Sequence, residues 1–173
     1  MKDLNRRDFI KANTAASLTL ALSSLGAKFA KAEQKDKKVV KVGFVGTGNR
    51  GRSLMNVMLN HIDAIEIPAL CDTNKQNLKT AQEMVKQKNG NTPHGYSENE
   101  NIYKKLMERD DLDAVIIATP WNWHAPMAVY AMKCNKYTGV EIPCLQTIEE
   151  AWELVNTYEE TKTPCMMLEN WSF

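Results

Sequence analysis

Residues 39–51, which read VVKVGFVGTGNRG, decide the fold of this chain. The first seven are a β-branched run of strand length. They pass directly into Gly46-Thr47-Gly48-Asn49-Arg50-Gly51, a G-x-G-x-x-G pattern, and residues 52–60 then show apolar residues at helical spacing. Glycines between a strand and a helix permit a tight turn and let backbone N–H groups approach a pyrophosphate. The stretch predicts a dinucleotide-binding turn at Gly46, Gly48 and Gly51, and the alternative is an ordinary glycine turn.

An acidic residue lies at the end of the second predicted strand, where dinucleotide-binding domains have one. A second strand is predicted over residues 64–71, and Asp72 ends it, 21 positions after Gly51. A carboxylate there accepts hydrogen bonds from a ribose diol and disfavours a 2′-phosphate, so the prediction is NAD rather than NADP. The alternative is a solvated aspartate.

The rest of the chain alternates helical and strand patterns. Apolar spacing at Leu78, Ala81 and Val85 predicts a helix, residues 89–93 a loop, and residues 126–132 a helix with Pro126 in its first turn. Strands are predicted over residues 113–118, 137–140 and 165–168. Uninterrupted apolar strands alternating with helices indicate an α/β fold, a Rossmann-type doubly wound parallel sheet. In such sheets ligands bind at the carboxyl ends of the strands.

Two capping boxes predict helix starts. Ser97 and Glu100 precede a predicted helix that contains Tyr103. Thr147 and Glu150 begin another helix, which carries Ile148, Trp152, Val155 and Tyr158 on one face.

Further candidate site residues follow the later strands. Trp121-Asn122-Trp123-His124 comes after the strand at 113–118, where the aromatic residues form a wall and His124 begins a helix. The alternative is that the tryptophans cover a sheet edge and the histidine is a cap. Glu141 and Ile142 follow the next strand and Asn170 the last one; each could face the same crevice or be a solvated turn residue.

Composition limits the class of protein. The 173 residues include 43% hydrophobic and 25% charged residues and carry a net charge of +1, which is ordinary for a globular protein and gives no case for nucleic acid. The four cysteines are scattered, so they indicate neither a disulfide scaffold nor a zinc site.

The N-terminus reads as a targeting signal. Arg6 and Arg7 precede a mildly apolar stretch at residues 12–27 and the cleavage pattern Ala30-Lys31-Ala32. That stretch is too short and too polar for a stable membrane span. We expect a twin-arginine signal peptide at 1–32, a linker at 33–38 and one domain at 39–173. The twin-arginine route exports folded proteins, so the chain is expected in the periplasm, and a cofactor loaded before export would explain that route.

These segments together resemble a known family. Residues 39–173 are similar to the N-terminal nucleotide-binding domain of the Gfo/Idh/MocA oxidoreductases, and within them to glycoside hydrolase family 109, the NAD-dependent α-N-acetylgalactosaminidases. The resemblance rests on DAVIIATPWNWHAPM at 113–127, KYTGVEIP at 136–143 and PCMMLEN at 164–170. The broader dehydrogenase family has a lysine that assists hydride transfer where this chain has Ile142.

The resemblance implies a redox route to hydrolysis of a small glycoside. NAD would oxidise the hydroxyl at sugar carbon 3, elimination would expel the aglycone, and the hydride would return after water adds. It implies that His124 is catalytic and that the dinucleotide is contacted by Asn49, Arg50, Asp72, Trp121, Asn122, Trp123, His124, Glu141, Ile142 and Asn170.

Members of the resembled family continue into a second domain, which supplies the groups that hold the sugar. Because this sequence contains no counterpart of that domain, we expect a truncated chain that is catalytically silent alone. An uncovered sheet edge would also favour association, for instance as a homo-oligomer. Two alternatives stay open: a sugar oxidoreductase, against which Ile142 counts, and a non-catalytic nucleotide-binding module.

Overall fold

The computed structural model describes residues 39–169 of the chain. The predicted signal peptide at 1–32, the predicted linker at 33–38 and Asn170 lie outside the described residues. The bounds of these segments therefore stay predictions.

The described residues form one six-stranded sheet in which every neighbouring pair of strands is parallel. The spatial order is β3-β2-β1-β4-β5-β6. This order reverses direction between β1 and β4, which defines the doubly wound Rossmann arrangement and confirms the predicted fold class. The strands are β1 (Val40–Val45), β2 (Ile65–Cys71), β3 (His94–Tyr96), β4 (Ala114–Ile117), β5 (Tyr137–Glu141) and β6 (Cys165–Leu168).

Helices connect the strands, as parallel pairing requires. They are α1 (Asn49–His61), α2 (Lys75–Asn89), α3 (Tyr103–Met107), α4 (His124–Lys133) and α5 (Ile148–Thr161), and a 3-10 turn at Trp121–Trp123 precedes α4. None of the described helices combines the length and the apolar character that crossing a membrane would need.

The core lies on both faces of the sheet because successive residues of a buried strand point to opposite sides. Phe44 of β1 packs in a cluster with Met55 of α1 and Val85 of α2. Val45, the next residue, packs in a second cluster with Ala128 of α4. All five side chains are at most 1% exposed. Burial on both faces explains why the strands read as continuous apolar runs.

The capping box predicted at Ser97 is wrong, and a strand before it was not predicted. Residues His94–Tyr96 form β3 and extend the sheet beside β2. The Ser97 N–H donates to Glu98 Oε2 at 2.9 Å, so it does not meet Glu100. Asn99 instead accepts a hydrogen bond from the Asn101 N–H at 2.9 Å, and α3 begins later, at Tyr103.

The second capping box is confirmed. The Thr147 hydroxyl accepts from the Glu150 N–H at 3.2 Å, and Glu150 Oε2 accepts in return from the Thr147 N–H at 3.3 Å. The predicted apolar face of α5 exists, but its large side chains are exposed, at 73% for Ile148 and 63% for Trp152. Strand β6 beside it is an edge strand. The exposure of this helix face was not predicted, since the sequence led us to expect only an uncovered sheet edge.

Candidate functional site

A crevice opens at the carboxyl ends of the strands, where the sheet order reverses between β1 and β4. It holds a cavity of about 410 Å³. Of the residues proposed from sequence, Gly46, Gly48, Asp72 and Trp123 line it. This is the position at which doubly wound sheets bind their ligands.

Each of the three motif glycines is suited to its position for a different geometric reason. Gly46 has φ +88°, and a Cβ there would lie 2.4 Å from the Ala118 carbonyl oxygen of the neighbouring strand end. A Cβ on Gly51 would lie 2.1 Å from the Gly46 carbonyl oxygen, so this glycine lets α1 pack against the turn. A Cβ on Gly48 would meet no protein atom within 4 Å. Gly48 therefore leaves open the space that a ligand would need to approach the backbone.

The start of α1 is suited to an anion. Gly48 is the N-cap residue, and within residues 39–169 no side chain caps this helix. Uncapped N–H groups and the positive end of the helix dipole favour a phosphate at this position.

Asp72 lines the cavity and also holds the glycine turn. Its Oδ2 accepts hydrogen bonds from the Thr47 N–H at 2.7 Å and from the Thr47 hydroxyl at 2.9 Å. Its Oδ1 accepts from the Asn74 N–H at 2.7 Å. An ionised carboxylate has about four acceptor positions, so one remains for a ribose hydroxyl. The bond to Thr47 was not predicted, because the 25-residue separation gives no local signal.

Sequence reasoning missed a whole side of the cavity, which is lined by Thr73, Asn77, Asn99, Glu100 and Tyr103. They belong to α2, to α3 and to the loops before these helices. Burial raises the pKa of Tyr103, and burial followed by the charge of Asp72 raises the pKa of Cys71 to about 12. Both groups are therefore neutral parts of the wall. Among the described residues, no cluster of acidic, histidine and cysteine side chains could hold a metal ion.

Arg50 and Glu141 meet across the crevice although 91 positions separate them. Arg50 Nε donates to Glu141 Oε1 at 2.6 Å. The Glu141 side chain is 8% exposed and that of Arg50 is 43% exposed, so a buried carboxylate anchors a guanidinium whose other face reaches solvent. The pair joins the end of β5 to the start of α1. It brings together two of the predicted cofactor contacts.

The aromatic segment after β4 divides into an outer and an inner part. Trp121 is 60% exposed, and Asn122 is also exposed. Trp123 lines the cavity and lies edge-on to Tyr103, with 6.2 Å between ring centroids. Thus only Trp123 forms the predicted wall of the cavity itself.

His124 is 1% exposed, and each ring nitrogen lies against a backbone carbonyl. Nδ1 is 2.8 Å from the Pro143 oxygen and Nε2 is 2.8 Å from the Thr119 oxygen. The ring therefore joins the segment after β4 to the segment after β5. Catalysis by His124 stays a prediction, and it requires a ring nitrogen to move away from its backbone carbonyl.

Two other predicted contacts are arranged differently. Asn49 Oδ1 accepts from Arg52 at 2.7 Å at the start of α1, outside the cavity lining. Ile142 follows Glu141 and is 38% exposed, so it presents an apolar surface at the strand end.

The residues present fit a dinucleotide. An uncapped helix start, open space beside Gly48 and a carboxylate with a remaining acceptor position lie around one cavity. The helix start and the open space suit a pyrophosphate, and the carboxylate suits a ribose diol.

Comparison with known proteins agrees with this geometry. Residues 40–169 match the family model described as GFO_IDH_MocA, an oxidoreductase family with an NAD-binding Rossmann fold. The chain belongs to this family, and NAD is the cofactor of the family's domain. The predicted family and cofactor are confirmed.

The chain is also similar to particular curated proteins. It is 40% identical to a glycosyl hydrolase family 109 protein of Shewanella baltica and 37% identical to an alpha-N-acetylgalactosaminidase of Shewanella oneidensis. In each case the match covers 98% of this chain and 40% of the relative. The chain therefore spans about two fifths of the length of these relatives.

Solved structures share the fold. The WlbA dehydrogenase of Chromobacterium violaceum, in complex with NADH and UDP-GlcNAcA, superposes with a TM-score of 0.66 at 21% identity, over 78% of this chain and 36% of that one. The scyllo-inositol dehydrogenase of Lactobacillus casei, with bound NAD(H) and scyllo-inositol, gives 0.65 at 19% identity, over 76% and 36%.

Proposed function

We propose that this chain is the NAD-binding part of a glycosidase of the family 109 type, which acts on α-N-acetylgalactosaminides. The observation that carries the proposal is the similarity to family 109 proteins along 98% of the chain. The exposed Ile142 supports it, because a hydride-transferring relative would present a lysine there.

Each part of the crevice has a task in this proposal. Bound NAD would supply the hydride acceptor, and later the hydride donor, for transient oxidation at sugar carbon 3. The start of α1 at Gly48 would hold the pyrophosphate, and Asp72 would accept from a ribose hydroxyl while it fixes the turn through Thr47. Glu141 holds Arg50 at the start of α1, and Trp123 limits the cavity on the β4 side.

A chimera tests the glycosidase assignment. Residues 39–169 would replace the matching part of the Shewanella oneidensis alpha-N-acetylgalactosaminidase, and an aryl α-N-acetylgalactosaminide would be the substrate. The expected result is aglycone release without net NADH. Steady accumulation of NADH with a free sugar would favour the second candidate, a sugar dehydrogenase. A chimera that binds NAD but does neither would favour a non-catalytic module.

The 173-residue chain by itself is expected to bind NAD without hydrolysing the aryl glycoside. All described site residues come from this one domain, and orienting a substrate against its catalytic groups accounts for roughly 7–11 kcal/mol of a lowered barrier. Turnover by the chain alone, near the rate of the longer relatives, would contradict this expectation.

We also propose export by the twin-arginine pathway. The support is the pair Arg6 and Arg7 ahead of a mildly apolar stretch and an A-x-A pattern. Replacing both arginines by lysine should leave the precursor in the cytoplasm, because the receptor reads the pair and not its charge. Mature-size protein in the periplasm of the double variant would refute the proposal.

A further inference from the structure

Arg52 lies in the first turn of α1 and connects three different segments. Its Nη1 donates to the Thr47 carbonyl oxygen at 2.7 Å and, in a longer contact of 3.4 Å, to Asn77 Oδ1 of α2. Its Nη2 donates to Asn49 Oδ1 at 2.7 Å. The guanidinium therefore links the glycine turn, the first residue of α1 and a residue of α2 that lines the cavity.

The start of α1 is electrostatically unfavourable for a cation. The N-terminal end of a helix carries a partial positive charge, and the first turn of α1 contains no acidic residue. Arg50 is paired there with the Glu141 carboxylate. The acceptors of Arg52 among the described residues are instead three neutral oxygens. Neither charge pairing nor helix stability thus explains an arginine at position 52.

Thr47 is held from two sides. Asp72 Oδ2 accepts from its N–H and its hydroxyl, and Arg52 donates to its carbonyl, so every polar group of this fully buried residue is bonded. The Thr47 carbonyl and the Gly48 N–H belong to one planar peptide group. Because Arg52 fixes that carbonyl, it also fixes the direction of the Gly48 N–H at the start of α1.

The contacts of Arg52 close a ring of hydrogen bonds that runs through Thr47, Asp72, Asn74 and Asn77. Asp72 Oδ1 accepts from the Asn74 N–H at 2.7 Å, and Asn74 Oδ1 accepts from the Asn77 N–H at 3.1 Å. Asn77 Oδ1 accepts from Arg52, which returns to Thr47. Two members of the ring, Asp72 and Asn77, line the cavity. The ring thus joins the glycine turn to the carboxylate suited to a ribose.

We propose that Arg52 is a positioning residue for NAD. It holds the peptide between Thr47 and Gly48 and the first turn of α2, and so keeps the helix start and Asp72 in one fixed arrangement. Arg52 is not part of the cavity lining, so it acts through these neighbours rather than on the dinucleotide itself. The inference rests on the proposed placement of NAD in the crevice.

The test measures NAD affinity by titration calorimetry, with the full 173-residue chain. Arg52→Met keeps a long side chain and removes the donors, and circular dichroism shows whether it is folded at the titration temperature. We expect the NAD dissociation constant to rise about tenfold, the scale of one hydrogen bond to a charged group. Unchanged affinity in folded Arg52→Met would overturn this inference alone, whereas a wild-type chain that binds no NAD would refute the proposed placement and the inference with it.

A lysine variant separates placement from charge, and it also serves if Arg52→Met does not fold. Arg52→Lys keeps the positive charge but lacks the planar fork that reaches different residues through Nη1 and Nη2. We expect its NAD affinity to lie near that of Arg52→Met. Full recovery of wild-type affinity by the lysine would show that charge alone suffices, and it would overturn the positioning role.

A matched control comes from the same two helices. Lys88 Nζ donates to Asn60 Oδ1 at 2.7 Å and joins α2 to α1 near their other ends. Lys88→Met should therefore leave NAD affinity unchanged. A loss equal to that of Arg52→Met would show that any link between the helices has this effect and would contradict the proposal.

A double variant shows whether the effect passes through Thr47. Arg52→Met combined with Asp72→Ala should weaken NAD binding by less than the product of the two single fold-changes, because both residues act on Thr47. A merely structural contribution of Arg52 would be independent of Asp72. Single effects that multiply in full would therefore contradict the positioning role.

Discussion

The Asp72 carboxylate contacts both the glycine turn and the cavity. Thr47, which it holds, is fully buried, so the turn cannot relax freely if the carboxylate is removed. A substitution at position 72 therefore changes the shape of the pyrophosphate site as well as the ribose contact.

Replacing Asp72 by Ala should weaken NAD binding by roughly 1–3 kcal/mol, the scale of hydrogen bonds to a charged group. The preference for NAD over NADP should also fall, because the repulsion of a 2′-phosphate is lost. Titration calorimetry with both cofactors measures the two effects.

A second variant separates the two tasks of Asp72. Thr47→Val removes the hydroxyl bond to the carboxylate and leaves the ribose acceptor in place. We expect it to affect NAD and NADP equally. A change in their ratio with Thr47→Val, or unchanged NAD affinity with Asp72→Ala, would remove the ribose assignment.

At the level of elements, local signals succeeded where a segment's own residues set its structure. Thr147 and Glu150 cap α5 as their spacing predicts, and residues 165–168 form β6 at the predicted bounds. Strand β3 was missed because His94-Gly95-Tyr96 has no apolar run, and pairing with β2 defines it. Ser97 does not cap a helix because it directly follows β3, and α3 begins only at Tyr103.

The capping box of α5 gives a quantitative prediction. Thr147→Ala removes the acceptor for the Glu150 N–H and should lower the free energy of unfolding by about 1 kcal/mol. Urea denaturation followed by circular dichroism measures this change. Ser97→Ala is the matched control, since Ser97 caps no helix; equal losses in both variants would contradict the assignment.

At the level of the whole molecule, the apolar surface of α5 and the edge strand β6 should promote association. Exposed aromatic and aliphatic side chains beside an unpaired strand edge favour contact with another chain. Replacing Trp152 and Val155 by Glu should therefore lower the average mass in sedimentation experiments without a loss of stability. An unchanged mass distribution would show that this surface does not mediate association.

The position of the site could be predicted from sequence, but its internal contacts could not. The glycine turn and the acid after β2 are local patterns with known mechanical reasons, and they define the crevice. The Arg50–Glu141 pair, the Thr47–Asp72 bonds and the two carbonyl contacts of His124 depend on which strand ends lie side by side. Strand order and register set those contacts, and neither can be predicted from a single segment of the sequence.

The central claim is that NAD binds at the start of α1, and titration of the chain with NAD tests it most directly. Wild-type chain should bind one NAD saturably. Gly48→Ala should fold with unchanged stability, since a Cβ there meets no protein atom within 4 Å, but should lose NAD binding. Gly46→Ala should lose stability as well, because its Cβ would lie 2.4 Å from the Ala118 carbonyl oxygen. Undiminished NAD binding by a folded Gly48→Ala variant would contradict the account.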